Sequence, residues 1–337
     1  MKFHRSRKLF ELGLLIGLVL ANATASAAIL HVSPSGDDAN AGTNWATAKK
    51  TVQAAINAAN AGDEIWVAAG TYNEHIANKA IGDVAVDVAL YGGFDGSEVM
   101  RSERDIEANL TALHGTNNGT VVTIQFGASR DTRIDGFYIT GGNQGIPGNT
   151  GGGIHITASA PTIANNIIKG NLSYGVGAGI SIWYSRPLSG GGAEHPLIVD
   201  NQIVENFAFE FAGDGGGIGI VGSSPEIRNN IIARNQANQN GGGICMWESS
   251  APVIANNFIL ANASNILDGG SSMNYGGGGI FASSFYEDGT PCQACISAPR
   301  VFNNVIAANG AIKGGGVAIT DSNGGAALIT NNTVANN

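Results

Sequence analysis

The chain has 337 residues, a formal net charge of −9, 43% hydrophobic residues, 13% charged residues and 50 glycines. Glycine is far above its usual share of about 7%, but this much apolar content excludes a charged, disordered chain. The acidic balance, without a basic cluster, excludes an electrostatic nucleic-acid binder.

The first segment reads as a leader. Lys2, Arg5, Arg7 and Lys8 precede an apolar run from Leu9 to Ala21, broken only by Glu11, and Ala25-Ser26-Ala27 has the form of a cleavage site. The run is shorter than the ~20 residues of a membrane span. Residues 1–27 are therefore expected to be a removed secretory signal. The remainder would be secreted or held at the cell surface, with no membrane span. Four basic residues and one acid leave with the signal, so 13 Lys+Arg then face 25 Asp+Glu, about −12.

Residues 28–74 read as a cap and first coil. Trp45 to Ala59 has the helical period, with Val52, Ala55, Ile56 and Ala59 on one face at i, i+3, i+4 and i+7. This amphipathic helix is expected to plug the open end of an apolar core. Ile65 and Val67 of the following strand should point inward. Residues 78–150 hold less regular coils, including VDVALYGGFDGSE and TRIDGFYITGG. Arg130, Asp131, Arg133 and Asp135 form a charged set there, expected to be a surface ion-pair group.

Regular coils follow over 151–337. GGGIGIVGSSPEIRNNIIARN begins at Gly215, and related sequence begins at Gly151 and Gly241. Interrupted versions begin at Gly177 and Gly277, and a last one at Gly314. Each GGGI-x-I reads as a strand with period two. Each NN-x-I-x-x-N reads as turn, strand and turn. Its second position is always Asn (Asn166, Asn201, Asn230, Asn257, Asn304, Asn332), and so is its seventh (Asn171, Asn206, Asn235, Asn262, Asn309, Asn337). Its fourth is aliphatic: Ile168, Ile203, Ile232, Ile259, Ile306, Val334. Asn tolerates the left-handed backbone of a tight corner. Stacked at a ~4.8 Å strand spacing, its amides can bond from coil to coil. One coil alone cannot bury its isoleucines, so several must stack. The fold expected is all-β: a parallel β-helix solenoid with an N-terminal amphipathic capping helix.

On these GGGI and NN-x-I repeats, the cap opening SPSGDDANAGTNWATAKKTVQAAI and the LYGGF-x-G-x-E segment, the chain from about Ile29 to Asn337 resembles the parallel β-helix proteins of the pectin-lyase-like superfamily, which implies a single-stranded right-handed parallel β-helix solenoid. More narrowly, it is similar to bacterial secreted and surface proteins, including polymorphic outer-membrane-protein-like passengers. That fold hosts lyases, hydrolases, esterases, adhesins and phage spikes, so function must be read from a site.

Two coils carry insertions after the GGGI strand, Tyr184 to Pro196 and Phe281 to Pro299. The two coils between them carry none. Insertions in a solenoid map to one face, often the binding face. Stacked in register, they would form two walls three coil steps apart, roughly 14 Å. Val221, Gly222, Trp247 and Glu248 would form the floor, with Trp183 equivalent to Trp247. An outward indole beside a walled groove suits the C–H face of a sugar. Trp183, Tyr184, Trp247, Tyr286, Glu287 and Asp288 are the candidate substrate contacts, and a polysaccharide or cell-surface glycan is the candidate partner. The alternative is that the two tryptophans only cover the solenoid beneath their own loops, in a non-catalytic adhesin or structural surface passenger.

Catalysis has no compact signature. Arg186, His195 and Glu248 are the candidate catalytic groups. A uronate lyase needs a base and a cation to neutralise the substrate carboxylate, and calcium enters only under that reading. A hydrolase needs two carboxylates at a set separation; Glu248 and Asp321 are the available pair, but the second insertion leaves between them. The lyase is the better of the two enzyme readings. No metal site is expected. Cys292 and Cys295 are expected to form a small disulfide in the second wall, leaving Cys245 on an outward strand position. The final coil ends at Asn337 on the last Asn position, and the expectation is a truncated or otherwise covered C-terminal end.

Overall fold

The structure is a computed structural model that describes residues 27–145, 151–185, 194–209, 213–264, 276–285, 295–320 and 325–337. Apart from Ala27, the expected leader lies outside the described residues.

The isoleucine repeat folds as the sequence implies. The coils are built on four parallel sheets, three running through most of the solenoid and one through five coils only, and each coil returns the chain one step further on. Among the described residues, sheet 1 has ten strands, from Ile29–Val32 to Leu328–Thr330. Sheet 2 has nine, from Gly70–Tyr72 to Thr333–Ala335. Sheet 3 has five two-residue strands, from Asn143–Gln144 to Ala263–Ser264. Sheet 4 has eight, from Ile76–Ala77 to Val317–Thr320. The molecule is a right-handed parallel β-helix. Its interior is a continuous stack of side chains such as Ile156, Ile182, Ile220 and Met246 from sheet 4 and Ile168, Ile203, Ile232 and Ile259 from sheet 2.

The expected cap helix is shorter than the periodicity suggests. A 3-10 turn spans Trp45–Thr47 and the helix α1 spans Val52–Ala58. Thr51 caps it by accepting from Ala54 N, and the Glu74 carboxylate takes the N–H groups of Val52 and Gln53. These side chains satisfy helix donors that have no partner within the helix. Val52, Ala55, Ile56 and Ala59 are buried in the core, as are Ile65 and Val67.

The corners show how neighbouring coils are joined. Asn201 donates its backbone N–H and its Nδ2 to Asn230 Oδ1, at 2.9 and 3.0 Å. Its Nδ2 also reaches back to Ile163 O at 2.9 Å. The same bonds run through Asn166, Asn230, Asn257 and Asn304 to Asn332, and in a second column from Asn171 to Asn337. The left-handed residue is not the column Asn but the one before it. At the first corner it is Asn165, Asp200, Asn229, Asn256, Asn303 and Asn331; at the second it includes Glu205, Arg234, Ala261 and Ala308. Asn and Asp at the first corner tolerate this backbone, whereas Glu205, Arg234, Ala261 and Ala308 belong to types that rarely adopt it and do so here because the amide column behind them fixes the chain path.

The glycine triplets are also not strand residues. The strand begins at Ile218, and Gly215 turns into it at φ 64°. A Cβ on Gly217 would lie 2.5 Å from Gly243 O and 3.0 Å from Asn235 Nδ2. Glycine is there because the next coil's backbone occupies the space of a side chain.

Replacing Asn230 by Ala should remove the acceptor for two Asn201 donors and leave the carbonyls of Ile198 and Arg228 without its amide. Urea unfolding should show a loss of roughly 3 kcal/mol or more, at about 1–3 kcal/mol for each buried group left unpaired. Asn332→Ala, in the part-buried last column position, should lose less than half of that. Equal losses at the two sites would reject the column as the source of the stability.

Candidate functional site

The candidate site lies on the outer face of sheet 4. Ile180, Ile218, Ile244 and Ile280 are partners in register, so the two insertions leave coils three steps apart as expected. Trp183, Val221 and Trp247 align across three strands, and Ser181, Gly219, Cys245 and Phe281 align beside them. His155 precedes Ser181 in the same row.

The tryptophans do not form the open floor expected of them. Trp183 is 5% exposed and Trp247 6%. They belong to a second apolar layer with Val176, Val221, Cys245 and Phe281, against which Phe285 packs. Both indole N–H groups are taken, Trp183 by Ser181 Oγ at 2.7 Å and Trp247 by Asp214 Oδ2 at 3.1 Å. The physical reason is the small residues between them. Gly219 leaves room for the preceding turn, whose Val176 Cγ1 would stand 2.4 Å from a Cβ there. The turn folds onto the sheet and the rings lie down beside it. A ring held this way leaves no indole N–H unpaired, but it offers no face for stacking a ligand.

The structure instead brings together Tyr184, Gly222 and Glu248. These are the residues immediately after the strands Ile180–Trp183, Ile218–Val221 and Ile244–Trp247. All three have left-handed backbone, at φ 47°, 58° and 60°. Tyr184 is 51% exposed, and its hydroxyl donates to Glu248 Oε1 at 3.2 Å. Its ring lies over Gly222, where a Cβ would come within 2.8 Å of Tyr184 Cδ1 and 3.3 Å of Glu248 Oε2. Glu248 is 7% exposed, and its carbonyl accepts from Ser297 Oγ. The arrangement is a half-exposed aromatic ring tied to a carboxylate across a position without a side chain.

His195 sits at the entry to sheet 1. Its carbonyl accepts from Arg130 Nε at 3.0 Å, and the next residue, Pro196, accepts from Glu226 N. Arg130 is paired with Glu226 at 2.7 Å. Asp135 is buried between Arg104 at 2.6 Å and Arg133 at 2.5 Å. The set read from sequence as a surface ion-pair group is thus divided: Arg133 pairs within it, with an Asp135 that is buried rather than at the surface, and Arg130 pairs outside it with Glu226. Arg186, Tyr286, Glu287, Asp288, Cys292 and Asp321 lie outside the described residues. Cys295 is disulfide-bonded, and Cys245 is free and buried.

Two features of this face were missed in the sequence. Asp214, just before the Gly215 triplet, is 1% exposed. Its Oδ1 accepts from Asn240 N at 2.8 Å and Asn240 Nδ2 at 3.0 Å, and Asn240 Oδ1 in turn accepts from Gly276 N. This is a third coil-to-coil polar contact, signalled only by the acid in DGGGI. The other is a serine column at the corner beside Tyr184. Ser159 N, Ser185 N and Ser223 N donate to the Oγ of Ser185, Ser223 and Ser250. A serine five residues after the first Ile of each triplet marks it in three coils.

Burial controls the titration of this face. It pushes Asp214 up from 3.8 to about 7, against the Asn240 and Trp247 donors that pull it down. It pushes the Cys245 thiol up as well, helped by Asp214, so the sulfur stays protonated and inert. It lowers His155 from 6.5 to about 4, so the imidazole is neutral.

Among the described residues, no group of three or more His, Cys, Asp or Glu side chains could hold a metal, and no helix is long and apolar enough to cross a membrane.

Asp214 makes a signed prediction. Between pH ~4 and ~7 the unfolded chain loses this proton while the folded chain keeps it, so stability falls as pH rises through that window and is level above it. A gap of about three units at 1.36 kcal/mol each is on the order of 4 kcal/mol. His155 works in the opposite direction, removing stability as pH falls from 6.5 towards 4. The measurement is therefore a difference: urea unfolding of wild type and Asp214→Asn from pH 4 to 8. The variant should lack the downward slope, and parallel profiles would show that Asp214 is ionised throughout.

The family described as "Protein of unknown function (DUF1565)" matches residues 34–265, and the chain belongs to that family. No curated protein matches the sequence. Among solved structures, the pectate lyase Pel9A is similar at 13% identity and a TM-score of 0.50, over 87% of this chain and 68% of that one. XylC in complex with xylose is similar at 12% identity and a TM-score of 0.41, over 87% and 70%. A rhamnogalacturonan lyase follows at 12% identity and 0.28, over 91% and 87%. At these identities the likeness is one of fold.

Proposed function

We propose that this DUF1565 member is an exported carbohydrate-recognising β-helix, its ligand lying over the corner formed by Tyr184, Gly222 and Glu248. The observation that carries this reading is the half-exposed Tyr184 ring held by Glu248 across Gly222. A sugar needs an apolar plane for its C–H face and a nearby acceptor for its hydroxyls, and these three residues supply both. The fold is shared with a pectate lyase, a protein named for action on a polysaccharide, which is consistent with a glycan ligand. Export rests on residues 1–27, whose basic, apolar and small-residue regions fit a signal.

The buried tryptophans favour a second reading. Trp183 and Trp247 cover the solenoid rather than face a groove, as a structural or adhesive surface passenger would have them. Catalysis is not needed by either reading. Glu248 alone cannot supply the paired groups of a hydrolase or lyase.

The test is retention of residues 28–337 on a panel of insoluble polysaccharides, with release of reducing ends followed in parallel. At least one should retain the protein without being cleaved. Tyr184→Ala should weaken that retention roughly tenfold, about 1.4 kcal/mol, with an unchanged unfolding midpoint. Retention that is indifferent to Tyr184 would move the ligand elsewhere, and no retention at all would leave the passenger reading.

A further inference from the structure

We propose that the outer face of sheet 2 is a second contact surface, built to lie on an insoluble, uncharged polysaccharide. It takes its ligand class from the carbohydrate reading above and is separate from the Tyr184 corner.

Two files of side chains point outward from sheet 2, one on either side of the buried isoleucines. The first runs Ile167, Gln202, Ile231, Phe258, Val305 and Thr333, each in register with the next. Phe258 is 51% exposed and Ile231 40%. The second file begins at Lys169 and continues through Val204, Ala233, Leu260 and Ala307. The chain has 26 Asp and Glu residues, yet none lies on a described strand of sheet 2. The sheet has one lysine, Lys169, paired with Glu205 at 3.0 Å, and one histidine, His114, which accepts from Thr116 N at 2.9 Å. From Gln202 to Ala307 its outward positions carry no charge at all. Sheet 1 differs, with Arg133, Asp135, Glu226, Arg228 and Arg300 on its outer positions. Sheet 4 lies beneath its second apolar layer.

Sheet 2 also lies between the two amide columns. The column from Asn166 to Asn332 stands where its strands begin, and the column from Asn171 to Asn337 where they end. Side-chain ladders of this kind hold a many-stranded sheet flat against its natural twist. A face fixed on both edges loses little freedom on binding. A solid polymer, whose chains are already fixed, loses little as well.

Size and charge select the occupant. Six strands at ~4.8 Å, each three residues of ~3.3 Å, make a strip of roughly 240 Å². A stable protein partner, a second copy included, needs about 800 Å² on each side. Asp200 stands at one edge of the strip and the Lys169–Glu205–Arg234 group at the other, so a lipid surface would have to desolvate charges to reach it. A packed polysaccharide fits between those edges. Its C–H faces meet the aliphatic and aromatic side chains, and its hydroxyls meet Gln202 and Thr333.

The experiment is depletion binding of residues 28–337 to insoluble cellulose, chitin, mannan and xylan, beside affinity electrophoresis in gels of soluble derivatives of the same polymers. Wild type, Tyr184→Ala and the paired variant Ile231→Thr/Phe258→Thr are compared. Threonine keeps strand propensity and both sites are exposed, so the unfolding midpoint should not move. Phe258→Lys, a single exposed charge, is a second variant with the same expected loss. At least one solid should adsorb wild type. The paired variant should bind that solid at least tenfold more weakly, while its retardation by the soluble polymer equals that of wild type. Equal adsorption of wild type and both sheet 2 variants would overturn the inference, and a loss in Tyr184→Ala alone would then leave the carbohydrate reading standing. A loss in the sheet 2 variants with none in Tyr184→Ala would support this face and reject the corner. Adsorption of wild type to no solid would overturn the inference. A dimer in sedimentation velocity, or co-sedimentation with phosphatidylcholine vesicles, that the sheet 2 variants abolish would assign the face to a second copy or to lipid and overturn it too.

Discussion

Everything in this molecule depends on one coil stacking on the next at the strand spacing. A coil by itself has no partner for its backbone and no neighbour for its isoleucines. Stacked, the strand N–H and C=O groups pair across coils, and so do the corners. The corner solution is economical: one residue takes left-handed backbone, and the following Asn bonds both to the coil before and to the coil after. An amide does this better than a carboxylate or hydroxyl because it is donor and acceptor at once. That explains why Asn holds both columns without exception, while the residue before it is free to be Asn, Asp, Glu, Arg, Ala or Gly.

The same spacing shapes the outer face on which the candidate site lies. Successive coils approach so closely at the triplets that a side chain on Gly217 would meet the next coil's carbonyl. The turn before sheet 4 therefore lies flat, its Val176 drops onto Gly219, and a second apolar layer forms outside the first. Trp183 and Trp247 belong to that layer. Asp214 is caught beneath it because its carboxylate both joins the turn to the next coil and receives the Trp247 indole. A group placed for a structural bond thus ends with a strongly raised pKa. Perturbed titration often marks active sites, but here its cause is burial under the layer.

The available contact surface is displaced to the edge of that layer. Tyr184, Gly222 and Glu248 share the corner position that follows the sheet 4 strand, and they differ completely in side chain. Solenoids can vary such positions at little cost, since the columns on either side hold the backbone. Here the variation places a ring, a gap and a charge one above another. The gap lets the ring reach across one coil to the carboxylate of the next but one.

Much of this was legible in the sequence, because it repeats. The aliphatic and Asn positions of NN-x-I-x-x-N, the buried face of α1 and the register of the insertions all follow from periodicity, and periodicity is a property of the chain alone. The direction a side chain lies along the sheet surface is not. Trp183 reads as outward, and it is outward; whether it stands in a groove or lies beneath a turn depends on Gly219 and Val176, which meet it only across coils. The Tyr184–Glu248 bond joins residues on different coils, and Asp214 reaches Trp247 in the same way. The sequence by itself determined the coil, its core and its corners, since each is set by a local pattern repeated at a fixed spacing. Only the tertiary structure decided which outward residues are covered and which remain available, because that depends on close contacts between coils that no single repeat contains.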